Sequence, residues 1–250
     1  MNMKKNFNFV IVIPARLKSS RFPGKPLAKI CGKPMIFHVW KRCIEAVDKK
    51  LVFVATDNIK IVNVCKKFGI QTVMTSTKCK TGTDRMYDFS KKVNSKIYIN
   101  IQGDEPLIKP KDIKKVIKYG LKSKNKNLIL NGMCKVTNYK DAYKSQLPKV
   151  VFNKKKELLY MSRASIPNNK KLDNKFFYKQ VCIYSIPKKL LKIFGKNKKT
   201  YFENIEDIEI IRFLELGFKV KMTELSDTIS VDFLSDIKKV EKILNKNKSI

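Results

Sequence analysis

The chain has 250 residues, 43% of them apolar, and carries a formal charge of +34 from 55 lysines and arginines against 21 acids. That length suits one large α/β domain; with no run near the ~18 apolar residues of a membrane span, and an opening too short for a secretory leader, a soluble cytoplasmic protein is expected. Only six of the 55 cations are arginine and the lysines are spread along the chain, which weighs against a nucleic-acid binder gripping through bidentate arginine and leaves a positive field suited to small anions.

The first element is the apolar run Phe9 to Pro14, read as a strand. It empties into Ala15-Arg16-Leu17-Lys18-Ser19-Ser20-Arg21-Phe22-Pro23-Gly24-Lys25-Pro26-Leu27, a loop stiffened by prolines and a glycine. Arg16, Arg21 and Lys25 thus stand just past a strand's carboxyl end, where open α/β sheets bind their ligands, and they suit a nucleoside triphosphate. The loop is not a P-loop, because Lys25 is followed by proline and not by a hydroxyl, and it is not GxGxxG. Taken alone, a solvated surface turn is its competing reading.

A helix near 34 to 46 holds the single histidine, His38, at an apolar start that suits packing or capping. Strands at Leu51 to Thr56, Gln71 to Met74 and Ile97 to Ile101 alternate with helices near 58 to 68 and 82 to 93. The last of these strands ends in Gln102-Gly103-Asp104-Glu105-Pro106. Two adjacent carboxylates beside a glycine at a strand end suit a hard divalent cation carried in by phosphates, and a plain polar turn suits them equally. A helix over 110 to 122, opening with Pro110, and a strand at Leu128 to Gly132 complete a pattern expected of a mostly parallel sheet.

Beyond residue 133 the pattern changes. Val150 to Asn153 and Glu157 to Met161 flank a lysine-rich turn and predict a hairpin. A polar loop spans Asn168 to Asn174, a strand Val181 to Ile186, and a helix Glu203 to Glu215 with Ile205, Ile208 and Ile211 along one face. Strands at Val220 to Leu225 and Ile229 to Val231 close the sheet before a helix near 235 to 245 and a frayed tail at 246 to 249. Asp232 stands at another strand end, as a helix cap or, paired with Asp104, as half of a cation site. The six cysteines (31, 43, 65, 79, 134 and 182) form no CxxC and have no histidine at ligand spacing, so they are read as reduced, partly buried small hydrophobes.

Together, Arg-x-x-Ser-x-Arg-x-Pro-Gly-Lys-Pro-Leu and the following Gly32-Lys33-Pro34-Met35 resemble the amino-terminal signature of the CMP-sugar synthetases, above all the 3-deoxy-manno-octulosonate (Kdo) cytidylyltransferases. Residues 102 to 106 resemble that family's second signature, and Thr81-Gly82-Thr83-Asp84-Arg85 its loop beside the nucleotide. Ser162-Arg163-Ala164-Ser165-Ile166-Pro167 and Val231-Asp232 with Asp236 resemble two later elements, so the likeness runs from about residue 9 to 240.

The resemblance implies a nucleotide-diphosphosugar-transferase (Rossmann-like) fold, α/β, a mixed sheet flanked by helices. It implies a single domain over 1–250, with an inserted element at about 133–187 whose hairpin serves a homodimer. The implied reaction is CTP plus Kdo giving CMP-Kdo and pyrophosphate, for lipopolysaccharide or capsule synthesis, with no nucleic-acid or membrane partner. By the same likeness Asp104 and Asp232 hold Mg2+, Arg16 and Lys25 neutralise the triphosphate, and Ala15, Arg21, Gly82, Arg85 and Gln102 line the nucleotide. Arg163, Gln180, Tyr184 and Glu209 face the sugar. Gln180, Cys182 and Ile210 depart from the octulosonate pattern, which usually has histidine, glycine and glutamine there. Another acidic sugar, an acylneuraminate or a modified ulosonate, is therefore the alternative substrate. A lysine-rich nucleic-acid binder on a degenerate transferase fold is the alternative of a different class, opposed by the intact Arg16, Lys25, Asp104 and Asp232.

Overall fold

Strand β1 (Phe7–Ala15) carries Val10, Ile11, Val12 and Ile13, all fully buried, as an unbroken apolar run requires of a strand covered on both faces. The computed structural model describes residues 6–18, 22–123, 125, 127–168 and 176–246. Arg21, the expected loop after Asn168 and the tail after Lys246 lie outside the described residues.

After β1 come a small hairpin, β2 (Lys29–Ile30) and β3 (Lys33–Pro34), then α1 (Met35–Ile44), β4 (Val52–Thr56), α2 (Ile59–Lys67), β5 (Gln71–Met74), α3 (Gly82–Ser90), β6 (Ser95–Ile101), α4 (Pro110–Lys122) and β7 (Ile129–Val136). The second half holds β8 (Lys149–Phe152), β9 (Leu158–Ser162), β10 (Phe177–Pro187), α5 (Lys188–Lys196), α6 (Tyr201–Glu206), α7 (Ile211–Glu215), β11 (Val220–Glu224) and α8 (Leu234–Lys246).

The main sheet runs β11-β7-β10-β6-β1-β4-β5, with β8 joined to β10 and β9 to β8. β1 pairs in parallel with β4 and β6, whereas β10 runs antiparallel to both β6 and β7, so the sheet is mixed. The chain crosses from the β4–β5 side of β1 to its β6 side, and a crevice opens at that switch, past the carboxyl ends of β1 and β6. One face of the sheet buries Ile11, Ile13, Val54 and Ile99 under α1, α2 and α4; the other buries Val10, Val12, Phe53 and Tyr98 under α3, α5 and α7. A third, smaller cluster joins Ile30 and Met35 to Val231, Ile237 and Val240 and so docks α8 beside the crevice.

Two expected elements differ. The helix over 203–215 is broken into α6 and α7 at Asp207, which takes a left-handed φ of 49°. Ile208, Ile210, Ile211 and Phe213 are all buried while Ile205 is 61% exposed, and no single straight helix face provides that spacing. Residues 229 to 231 are not a strand. Val231 gives one backbone hydrogen bond, to the Asp104 carbonyl, and packs its side chain into the third cluster instead of a sheet face.

Strand β10 carries a bulge between Val181 and Tyr184. The buried Asn131 amide fills it, donating to the Val181 and Ile183 carbonyls at 3.1 Å each. Cys182 is thereby turned toward the end of β6, where its carbonyl accepts from Gln102 N at 3.2 Å.

Candidate active site

Lys25 is where three distant stretches of chain meet. Gly24, with φ +74°, takes a left-handed conformation that a side chain would resist, and the short 3-10 turn Lys25–Leu27 follows. From there Lys25 Nζ donates to Asp104 Oδ2 at 2.7 Å and to the Val231 carbonyl at 2.9 Å, and stands 3.6 Å from Asp232 Oδ1. Asp104 leaves β6 through Gly103, where an added Cβ would lie 2.9 Å from the Pro14 carbonyl, so glycine lets the ends of β1 and β6 close together. Asp232 is set by the start of α8, where Asp236 accepts from the Asp232 and Phe233 amides at 3.1 and 3.0 Å. Burial raises the Asp236 pKa, but the bonds from Lys239 and these two amides outweigh it and hold the carboxyl below its ordinary value.

Asp104 and Asp232 therefore line one cavity and share one ammonium. No cluster of three or more acidic, histidine or cysteine ligands is preassembled among the described residues. Two hard carboxylates without a third fit a small divalent cation that takes its remaining ligands from phosphate oxygens.

Glu105 turns inward. It is 2% exposed, accepts from Thr228 Oγ1 at 3.1 Å and Cys182 N at 3.4 Å, and burial, with the neighbouring Asp104 charge, pushes its carboxyl up to about 7. Lys179 closes this wall through an ion pair with Asp227 and a bond to the Thr228 carbonyl, both at 2.8 Å. Lys179 and Thr228 carry no signal in the sequence, because their partners Asp227 and Glu105 are brought to them by the fold.

Every expected site residue that is described borders one of two adjoining cavities. Ala15, Lys25 and Arg85 line the first, Arg163, Gln180, Tyr184, Glu209 and Asp232 the second, and Arg16, Gly82, Gln102 and Asp104 form the wall between them. Arg16 leans over the rim, with Nη1 at 3.4 Å from the Lys80 carbonyl. Arg85 is buried and committed to Thr75 Oγ1 at 2.7 Å and Asp57 Oδ2 at 2.8 Å, so it braces the first cavity from behind. Gln102 Nε2 donates to Glu209 Oε1 at 2.6 Å, and Thr83 N donates to Glu209 Oε2 at 2.8 Å. Burial raises the Glu209 pKa against the lowering effect of that Thr83 amide.

On the far wall the Arg163 guanidinium is spent on the Glu206, Ser145 and Asp207 carbonyls at 2.6, 2.9 and 3.0 Å, which ties the α6–α7 break to the loop before β8. Gln180 Nε2 donates to Asn131 Oδ1 at 3.0 Å and Tyr184 OH at 3.4 Å; burial holds the Tyr184 and Cys182 pKa values well above normal. Ile210 borders neither cavity. It is fully buried in the core at the start of α7. His38 binds the Ile30 carbonyl at 2.7 Å, also away from both cavities. The six cysteines are free, and among the described residues no helix is long and apolar enough to cross a membrane.

Comparison with known proteins bears on this site. A family model described as "Cytidylyltransferase" matches residues 10–224. A protein of Parabacteroides distasonis named 3-deoxy-manno-octulosonate cytidylyltransferase is 39% identical over 246 residues, covering 92% of this chain and 96% of that one. An 8-amino-3,8-dideoxy-manno-octulosonate cytidylyltransferase of Shewanella oneidensis is 36% identical over 241 residues, covering 95% and 98%. The solved structure of a CMP:2-keto-3-deoxy-manno-octonic acid synthetase complexed with CTP matches with a TM-score of 0.88 at 33% identity, over 96% of this chain and 99% of that chain.

Proposed function

The chain belongs to the cytidylyltransferase family, and from that membership we propose that it activates Kdo with CTP, releasing pyrophosphate and CMP-Kdo for lipopolysaccharide or capsule synthesis. The observation that carries the reading is the Lys25 clasp on Asp104 and Asp232 beside the wall shared by two cavities, one for the nucleotide and one for the sugar.

Asp104 and Asp232 would hold a divalent cation, magnesium by the chemistry of their oxygens, arriving with the triphosphate. Bound there, such an ion supplies charge neutralisation at the α-phosphate and makes the attacking sugar hydroxyl more acidic. Lys25 and Arg16 stabilise the negative charge that builds on departing pyrophosphate. The shared wall of Gln102 and Gly82 brings sugar and nucleotide together in a fixed orientation, which supplies much of the remaining rate. No side-chain base is assigned, since the one histidine is bound elsewhere.

The single domain works as a cytoplasmic homodimer. Among the described residues strand β9 pairs only with β8; Leu159 on it, and Tyr201, Phe202 and Ile205 on the adjacent α6, stand exposed, apolar surface suited to a second copy. An amino-substituted octulosonate is the second reading, favoured by the Shewanella relative and by the neutral Gln180 in the sugar cavity.

Pyrophosphate release from CTP against Kdo, its 8-amino analogue and N-acetylneuraminate tests the proposal. Kdo is expected to give the highest kcat/KM; faster turnover of either other sugar would transfer the assignment to it. Gln180→His is expected to lower the Kdo KM and leave the CTP KM within twofold, by about the worth of one hydrogen bond, ~0.5–1.5 kcal/mol. An unchanged Kdo KM would remove Gln180 from the sugar site.

A further inference from the structure

Glu209 touches two of the signature segments, which lie against one another on the wall between the cavities. Its Oε1 accepts from Gln102 Nε2 at 2.6 Å, at the end of β6, and its Oε2 accepts from Thr83 N at 2.8 Å, in the first turn of α3. Each oxygen of this carboxylate, placed by resemblance at the sugar, is thus engaged by a protein amide.

The consequence falls on Gln102. A glutamine amide can present either its oxygen or its nitrogen to a ligand, and only its neighbours decide which. Here a carboxylate claims the nitrogen. The opposite side is closed by Gly82, where an added Cβ would stand 2.6 Å from Gln102 Nε2 and 2.9 Å from Oε1. The Gln102 amide therefore sits in a seat that only a glycine leaves open, with its orientation chosen by Glu209, on the wall that borders both cavities.

We infer that Glu209 is a positioning residue of the nucleotide half of the site: it holds Gln102 so that the amide oxygen is offered as an acceptor to an amino or hydroxyl donor of the nucleotide. The inference rests on the cytidylyltransferase reading above. An isosteric Glu209→Gln change keeps the shape but replaces one acceptor with a donor, so it cannot serve both Thr83 N and Gln102 Nε2. Keeping the backbone bond turns a donor toward Gln102 and reverses its amide.

The test is a double-mutant cycle on CTP. Glu209→Gln, Gln102→Met and the double variant are compared by the melting-temperature rise that CTP induces and by KM for CTP and Kdo. The expected result is a CTP KM raised roughly ten- to hundredfold in each single variant, with the double no worse than either. A change confined to the Kdo KM in Glu209→Gln, or fully additive losses, would overturn the inference and leave Glu209 as a sugar ligand. Should Glu209→Gln fail to fold, Gly82→Ala decides, because its methyl displaces the Gln102 amide with Glu209 intact; an unchanged CTP KM there also overturns the inference. If the unmodified protein shows no CTP-induced shift at all, the underlying functional reading falls, an outcome distinct from failure of Glu209's role.

Discussion

Arg212 is 1% exposed and is the largest fully buried side chain among the described residues, yet it is a cation. It forks onto both Glu203 oxygens at 2.6 and 2.7 Å, reaches Asp84 at 2.8 Å, and lies 3.7 Å from the centre of the Phe194 ring. Its worth lies in what its removal would leave behind, the fully buried Glu203 without a counter-charge. Arg212→Met is expected to cost about 3–5 kcal/mol in urea unfolding; a loss below ~1 kcal/mol would mean that Glu203 is neutralised some other way. Lys149 is also fully buried, donating to the Lys144 carbonyl at 3.0 Å and to the Arg163 carbonyl. Burial, with the Arg163 charge, pulls its pKa from 10.5 to about 8. Between those values the unfolded chain holds a proton that the folded one has released, so stability rises with pH across that window. Lys149→Met should flatten the rise in unfolding free energy measured from pH 8 to 10, and an equal slope in both proteins would contradict this. Neither role is legible in the sequence. Arg16, Lys25, Gln102 and Asp104 announce themselves because they sit in contiguous strings at strand ends, whereas Arg212 and Lys149 take their meaning from partners the fold supplies.

Elements with a local signal, an unbroken apolar run for a strand or an apolar stripe for a helix, were readable: β1, β4, β5, β6 and α4 stand where the pattern puts them. The 203–215 segment was not, because Ile208, Ile210 and Ile211 are buried after a turn at Asp207 that no helical period encodes, while Ile205 before it stays exposed. The 229–231 segment reads as a strand by composition, but its place is set by the cluster under α8. Strand β9 and helix α6 carry the proposed dimer contact. Leu159→Glu with Ile205→Glu, at two exposed positions, should leave melting unaltered at low protein concentration and yield a monomer in light scattering. A dimer that survives both charges would place the interface elsewhere.

Across the whole molecule, a formal charge of +34 surrounds a crevice whose central groups are carboxylates. Lys25, Asp104 and Asp232 meet although the hydrogen bond from Lys25 to the Val231 carbonyl spans 206 positions of chain. Short motifs could name these residues; the pairing of β6 beside β1 and the docking of Val231 and α8 in the third cluster bring them together. The positive field steers anions without selecting them. CTP with magnesium should therefore raise the melting temperature, whereas duplex DNA should bind weakly and release with modest salt. Tight, salt-resistant DNA binding without a CTP effect would favour the nucleic-acid alternative. The role of Asp104 in cytidylyl transfer is tested by pyrophosphate release from CTP and Kdo by the unmodified protein and by Asp104→Asn, each saturated with both substrates and magnesium. Turnover is expected from the former and a loss of about a hundredfold or more in the latter, on the order of 3 kcal/mol of barrier, with unchanged melting. Equal turnover by the two proteins would contradict that role.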